Sequence, residues 1–287
     1  MSTVTASLEP TTPKPDATVR ELAESPYRLS FARLVGAEWI KFTTVRSTWW
    51  SFGLVALISV GLSMLEAWAF ASSDMPVESN PNTLAVQVIA FSTVLTQLLA
   101  VIMGTIAVTG EYSTGMIRST VTAAPGRVGQ LLAKALVVFL TMFAFSLAVF
   151  TAAALASGPI LPAGMINLGE PETSVLPLLG AALYLSVASV IGVGLGYVLR
   201  NGPGALAGGI GLIFVLPVLV LFFPRTEMFQ WVYDAASFLP SNAAQSLFMG
   251  APMSGNVSEP WPATLTVIAW GVVALVGGLA VLKTRDA

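Results

Sequence analysis

Six stretches of this chain are each about 20 residues or longer and almost wholly apolar, and they leave it few ways to fold. A helix needs about 20 apolar residues to cross the ~30 Å hydrocarbon layer, where lipid offers no partner to an unpaired backbone amide. The stretches run from about Trp49 to Ala71, Leu84 to Val108, Ala135 to Ser157, Val175 to Leu199, Pro203 to Phe223 and Ala263 to Leu282. Turn residues bound them: Asp74, Pro76, Asn80 and Pro81, then Gly110, then Gly158, Pro159 and Pro162, then Asn201 and Gly202, then Pro224. Composition argues the same way. The chain is 55% hydrophobic and 10% charged, whereas soluble domains are ~25% charged, so the apolar surplus must face lipid. The sequence predicts an all-α integral membrane protein with six transmembrane helices.

The cations set its orientation, because cytoplasmic segments hold Lys and Arg. Lys14, Arg20, Arg28, Arg33, Lys41 and Arg46 precede the first span; Arg118, Arg127 and Lys134 lie between the second and third; Arg200 follows the fourth; Lys283 and Arg285 follow the sixth. In a six-span arrangement all fall on one side. Arg225 falls on the other, among Asp74, Glu78, Glu170, Glu172, Glu227, Asp234 and Glu259. Both termini are expected in the cytoplasm. Trp49 and Trp50 at one end of the first span, with Trp68 and Trp261 at outer ends, fit aromatic belts.

Residues 1–29 are polar, rich in Pro and Thr, without the apolar core of a signal peptide, and read as a disordered cytosolic tail. Over 30–46 the pattern becomes helical. Phe31, Leu34, Val35, Trp39 and Phe42 recur at helical spacing, opposed by Arg33 and Lys41, which predicts an amphipathic helix in the inner headgroup layer; a cytosolic helix is the alternative. The six-span domain fills 47–287.

Several chemistries lack their parts. The net charge of -2 does not suit a nucleic-acid partner. With no His and no Cys, imidazole bases, thiolate nucleophiles and zinc sites built on them are excluded, and no catalytic residue or bound cofactor is expected. There is no G-x-x-x-x-G-K-[ST] phosphate cradle. The spans are nearly empty of the midplane charges that ion-driven carriers keep. Glu66 is the ionised side chain within a span, either snorkelling to the outer interface or facing a cavity; Gln87, Thr93, Thr96 and Gln97 either line a pathway or bond between helices.

The inner loop from Gly110 to Lys134 carries the most specific signal. Its composition predicts a short surface helix with Glu111 near its N-terminus, Ser113 and Thr114 capping amides, and Pro125 with Gly126 ending it. Arg127 and Lys134 would then anchor the third span in the phosphate layer. Glu111, Tyr112, the run Gly115-Met116-Ile117-Arg118, Pro125, Arg127 and Lys134, preceded by Glu38-Trp39-Ile40-Lys41, resemble the permease subunits of ABC-2 type transporters, particularly small six-span bacterial ones. The resemblance implies a coupling helix in this loop that docks on a separate ATPase subunit, with the amphipathic helix beside it.

It further implies two ATPase subunits carrying ATP-Mg, a second permease copy or close relative, a bacterial cell membrane, and export of an apolar or amphipathic compound by alternating access. The rival readings are a secondary carrier or channel working without an ATPase, and a membrane scaffold or immunity protein that does not transport.

Two further features shape the expectation. Between Pro224 and Pro262, Met228, Phe229, Trp231, Val232, Phe238, Leu239, Leu247 and Phe248 suggest two short interfacial or re-entrant helices, the second capped by Ser241 or Asn242 and ended by Gly250. Gly192, Gly194, Gly196, Gly204, Gly208, Gly209 and Gly211 permit close helix packing, and Pro217 predicts a kink in the fifth span.

Overall fold

A computed structural model describes residues 30–73, 80–117, 126–162, 164–167, 169–249 and 259–284. Among them every regular element is helical, and six helices are long and apolar enough to cross a membrane. The chain enters through α1 (Phe31–Thr44), capped by Ser30, whose side chain accepts from the Arg33 amide. Extended Val45 then turns it into α2 (Arg46–Ala71). Buried Thr48, Phe52, Ser59, Ser63 and Ala67 of α2 form one narrow strip, while Leu54, Leu57, Met64, Leu65 and Trp68 stay exposed. A helix so one-sidedly packed has most of its apolar surface left for lipid.

The second span differs from the single helix expected over 84–108. It is two helices, α3 (Pro81–Ala90) and α4 (Thr93–Ser113), separated at Phe91 and Ser92. Neither Gly nor Pro marks the break. Buried hydroxyls hold it instead: the Thr96 hydroxyl donates to the Ser92 carbonyl at 3.0 Å and lies 3.0 Å from Ser59 Oγ, while the Ser63 hydroxyl donates to the Ile89 carbonyl at 3.1 Å. The third span is longer than expected at its start, with α5 running Arg127–Ser157.

At the centre stands α6 (Val175–Leu199), most of whose residues are buried against α4, α5 and the last helix, α11 (Pro260–Thr284). Glycine permits this crowding. A Cβ on Gly104 would lie 1.8 Å from the Ser189 carbonyl oxygen, one on Gly192 2.4 Å from that of Val101, and one on Gly194 2.4 Å from that of Ala274. The glycines of this span therefore pack helices within one chain. The fifth span is composite: α7 (Gly202–Ile210), a π-helical turn (Gly211–Val215) and α8 (Leu216–Val220). Pro217 lacks an amide and crowds the carbonyl four residues back, which accounts for the irregularity directly before it.

Between the fifth and sixth spans two short helices form, α9 (Gln230–Ser237) and α10 (Pro240–Phe248). The capping expectation fails: Leu239 is the cap residue, and Ser241 and Asn242 lie inside the first turn of α10. The Asn242 amide instead donates to the Ala236 carbonyl at 2.9 Å and ties the two helices together. α10 is buried against α6 and α11, so it is part of the bundle rather than a solvated loop. Gly250, the expected stop, lies outside the described residues, as do 1–29 and Arg118 through Pro125.

Candidate functional site

The long-range contacts of one end of the bundle converge on four charges. Glu38 is on α1 with its side chain 6% exposed; Lys41 lies one turn on; Glu111 is in the last turn of α4 at 4%; Lys134 is two turns into α5 at 4%. Lys134 Nζ meets Glu38 Oε2 at 2.5 Å and Glu111 Oε1 at 2.8 Å. Lys41 Nζ meets Glu38 Oε1 at 2.8 Å and Glu111 Oε1 at 2.9 Å. Each ammonium bridges both carboxylates, so the cluster is neutral and joins three elements remote in sequence. Two carboxylates that converge would attract a metal ion, but here two ammoniums already meet that charge.

This geometry corrects four sequence expectations. Glu111 does not begin a surface helix; it ends α4, where the helix dipole disfavours a carboxylate by about 0.3–1 kcal/mol. The two lysines offset that cost. Ser113 and Thr114 do not accept from amides: their hydroxyls donate to the Gly110 carbonyl at 3.0 and 2.8 Å and so satisfy the end of the helix. Lys134 does not reach toward a phosphate layer, since both its contacts point inward. Lys41, expected opposite the apolar face of α1, lies on the packed side with Glu38 and half-buried Leu34 and Phe42. Phe31, Trp39 and Ile40 are the exposed large apolar residues of that helix.

Burial by itself lowers the pKa of the Lys41 ammonium. The hydrogen bonds and charges of Glu38 and Glu111 together outweigh it and hold the group above its ordinary 10.5. Beyond Glu111 the chain turns at Gly115, whose φ of 73° suits glycine, and then presents exposed Met116 and buried Ile117. The rest of the expected coupling segment, Arg118 and Pro125 included, lies outside the described residues.

Two arginines close the same end. Arg127 donates to the Leu282 carbonyl at 2.7 Å and Arg200 to the Val281 carbonyl at 3.1 Å, so cations from α5 and the end of α6 meet the C-terminal carbonyls of α11. Arg200 has the left-handed φ of 53° that a non-glycine residue adopts at some cost, and its guanidinium also lies 5.5 Å from the Tyr112 ring centroid. Tyr112 in turn stacks edge-on with buried Tyr197.

The candidate pathway residues are separate from this end. Gln87 donates to the Met249 carbonyl at 2.8 Å. Gln97 accepts from the Tyr184 hydroxyl at 2.5 Å and donates to the Val94 carbonyl. Thr93, Gln97, Tyr184 and Ser241 line a cavity of about 10 Å³, room for one water. Thr93 Oγ1 and Ser241 Oγ make no hydrogen bond of good geometry. Glu66 is half-buried on α2, five residues from the helix end remote from the charge cluster.

Sequence reasoning missed the roles of Glu38 and Lys134 as partners. One signal was available: Leu34, Glu38, Lys41 and Phe42 share a helical face, and an acid-base pair among packed apolar residues needs partners on a neighbouring element. No protein-family model and no curated protein matches this sequence.

Proposed function

We propose that this chain is the membrane-spanning permease subunit of an ATP-binding cassette transporter of the ABC-2 type. The observation that carries the reading is the buried cluster of Glu38, Lys41, Glu111 and Lys134, which fastens α1 to the ends of the second and third spans beside the loop that opens at Met116. A force applied to that loop reaches α1, α4 and α5 as one unit. A loop of this kind is the docking element of a separate ATPase subunit, and α1, with Phe31, Trp39 and Ile40 outward, lies in the inner headgroup layer of a bacterial cell membrane.

Two ATPase subunits bind ATP-Mg; a second permease copy or close relative completes the pathway. Nucleotide-driven closure of the ATPases moves the clamped unit and changes the populations of inward- and outward-open states. An apolar or amphipathic compound is the cargo, exported across a membrane whose cytoplasmic side holds both termini. Purification of the full chain from its own membranes in mild detergent tests this. An ATPase should co-elute and hydrolyse ATP, and Arg118→Glu should weaken its retention without lowering the thermal stability of the permease. Solute flux through the chain reconstituted alone would refute the reading.

A further inference from the structure

A threonine or serine hydroxyl within a helix can satisfy itself by donating to the carbonyl one turn back. Thr96, Thr109, Thr141 and Thr151 do so here at 2.7–3.0 Å, as do Ser146 and Ser157 at 2.7 Å. Two buried hydroxyls lack that acceptor, each because its helix has only just begun. Thr93 is the first residue of α4; the carbonyl four residues back, that of Ile89, belongs to α3 beyond the break and accepts from Ser63 at 3.1 Å. Ser241 is the second residue of α10, and four residues back lies Ser237, the last residue of α9. Each is 2% exposed, so bulk solvent does not serve it, and neither Thr93 Oγ1 nor Ser241 Oγ makes a hydrogen bond of good geometry.

Both hydroxyls face one cavity. The start of α4, the start of α10 and the middle of α6 surround a space of about 10 Å³, lined by Thr93, Gln97, Tyr184 and Ser241, with Phe248 on an apolar side. Tyr184 is 1% exposed, and its hydroxyl donates to Gln97 Oε1 at 2.5 Å, which leaves the phenolic oxygen able to accept. Gln97 gives one amide hydrogen to the Val94 carbonyl at 3.0 Å and keeps the second.

Size and chemistry together select the occupant. A space of ~10–15 Å³ by this measure holds one water, provided that two to four polar groups meet it. Two hydroxyls that can each donate or accept, a phenolic oxygen and an amide hydrogen meet that need, and no larger polar ligand fits. A monovalent cation is of similar size, but among the described residues no charged side chain lines the space, and an uncompensated ion amid packed helices is far more costly than a neutral molecule. We propose that this cavity is a binding site for a single water molecule, bonded to Thr93 and Ser241 and completed by Tyr184 or Gln97, which cross-links α4, α6 and α10. Thr93 and Gln97 thereby hold α10 in the bundle rather than line a pathway. The inference does not depend on the transport reading, since it requires only the packing of these three helices.

X-ray radiolytic labelling reads such a site, because hydroxyl radicals formed from a bound water oxidise the side chain beside it even where bulk solvent does not reach. The full chain is irradiated in mild detergent, and the labelling rate of each residue is divided by its rate in the unfolded chain. Tyr184 should label well above Met142, which is 0% exposed in the apolar core. In Thr93→Val combined with Ser241→Ala, which removes both hydroxyls, Tyr184 should fall to the level of Met142 while Tm stays within a few degrees of the wild type. If that double variant does not fold, Thr93→Val alone decides, and Tyr184 labelling should again fall.

A Tyr184 rate at the level of Met142 in the wild type would overturn the site, as would a Tyr184 rate that the folded variants leave unchanged. A higher Tm in sodium chloride than in choline chloride at equal ionic strength, lost in the variants, would assign the cavity to a cation and overturn the water.

Discussion

Removing Lys134 should damage this protein far more than removing Lys41, although both make two ion pairs with the same two carboxylates. Lys134 is 4% exposed and bonds Glu38 and Glu111 at 2.5 and 2.8 Å, whereas Lys41 is 30% exposed at 2.8 and 2.9 Å. At 2.8 Å and an effective dielectric constant of about 20, the gross attraction of one pair is ~6 kcal/mol, much of it cancelled by the cost of taking both ions out of water. What a truncation measures is the charge left uncompensated. Lys134→Met leaves two buried carboxylates sharing one ammonium and should cost about 3–5 kcal/mol. Lys41→Met leaves the buried ammonium in place and water nearer the vacated site, for a cost of about 1–2 kcal/mol.

At about 2–4 °C per kcal/mol for a chain of this size, the first change lowers Tm by about 10 °C and the second by a few degrees. Glu111→Gln combined with Lys134→Met leaves Glu38 with Lys41, one charge of each sign, and should recover more than half of the loss. Thermal unfolding of five proteins in one detergent, the wild type, Lys41→Met, Lys134→Met, Glu111→Gln and the double variant, gives the comparison. Equal losses for Lys41→Met and Lys134→Met, or additive losses in the double variant, would refute the reasoning that a buried, neutral, shared cluster holds the three helices together.

Three other outcomes follow from the packing. Gly104→Ala and Gly192→Ala should each lower stability by about 1–3 kcal/mol through overlap with a facing carbonyl, while Gly61→Ala, with open space at its Cβ, should not, as Tm values would show. Gln97→Leu takes from the buried Tyr184 hydroxyl its 2.5 Å acceptor at a cost of about 1–3 kcal/mol, whereas Thr93→Val removes a hydroxyl already without a good partner and should be neutral or mildly stabilising. Because Lys41 is held above its unfolded value of 10.5, its contribution is fully present below that pH and is lost as pH rises through the folded value; Lys41→Arg should flatten that part of the alkaline decline in Tm.

The spans were legible because twenty apolar residues have one stable arrangement in lipid, and their ends were placed within about five residues except at the start of the third, where the helix begins eight residues before Ala135, directly after Gly126. The break at Phe91 and Ser92 was not. Its cause is a set of contacts from the hydroxyls of Ser59, Ser63 and Thr96 to one another and to the carbonyls of Ile89 and Ser92, across two helices, which local sequence does not display. Glu111 was recognised as important but placed at the wrong end of a helix, because a short polar run after Gly110 suits a new helix as well as the last turn of an old one. Lys134 was read from its neighbours in sequence as a surface anchor. Its partners are 96 and 23 residues away, and that distance hides the pairing from any local pattern. The two short helices before the last span were visible in their apolar spacing, whereas their caps depended on how α10 enters the bundle.

The interruption in the second span divides the labour of that segment. Its short piece, α3, is fastened to the end of α10 through Gln87 and Met249 and to α2 through Ser63 and Ile89. Its longer piece, α4, ends in the ion-paired knot at Glu111. The α10 contact therefore acts on ten residues that the break at Phe91 and Ser92 separates from the helix bearing the knot.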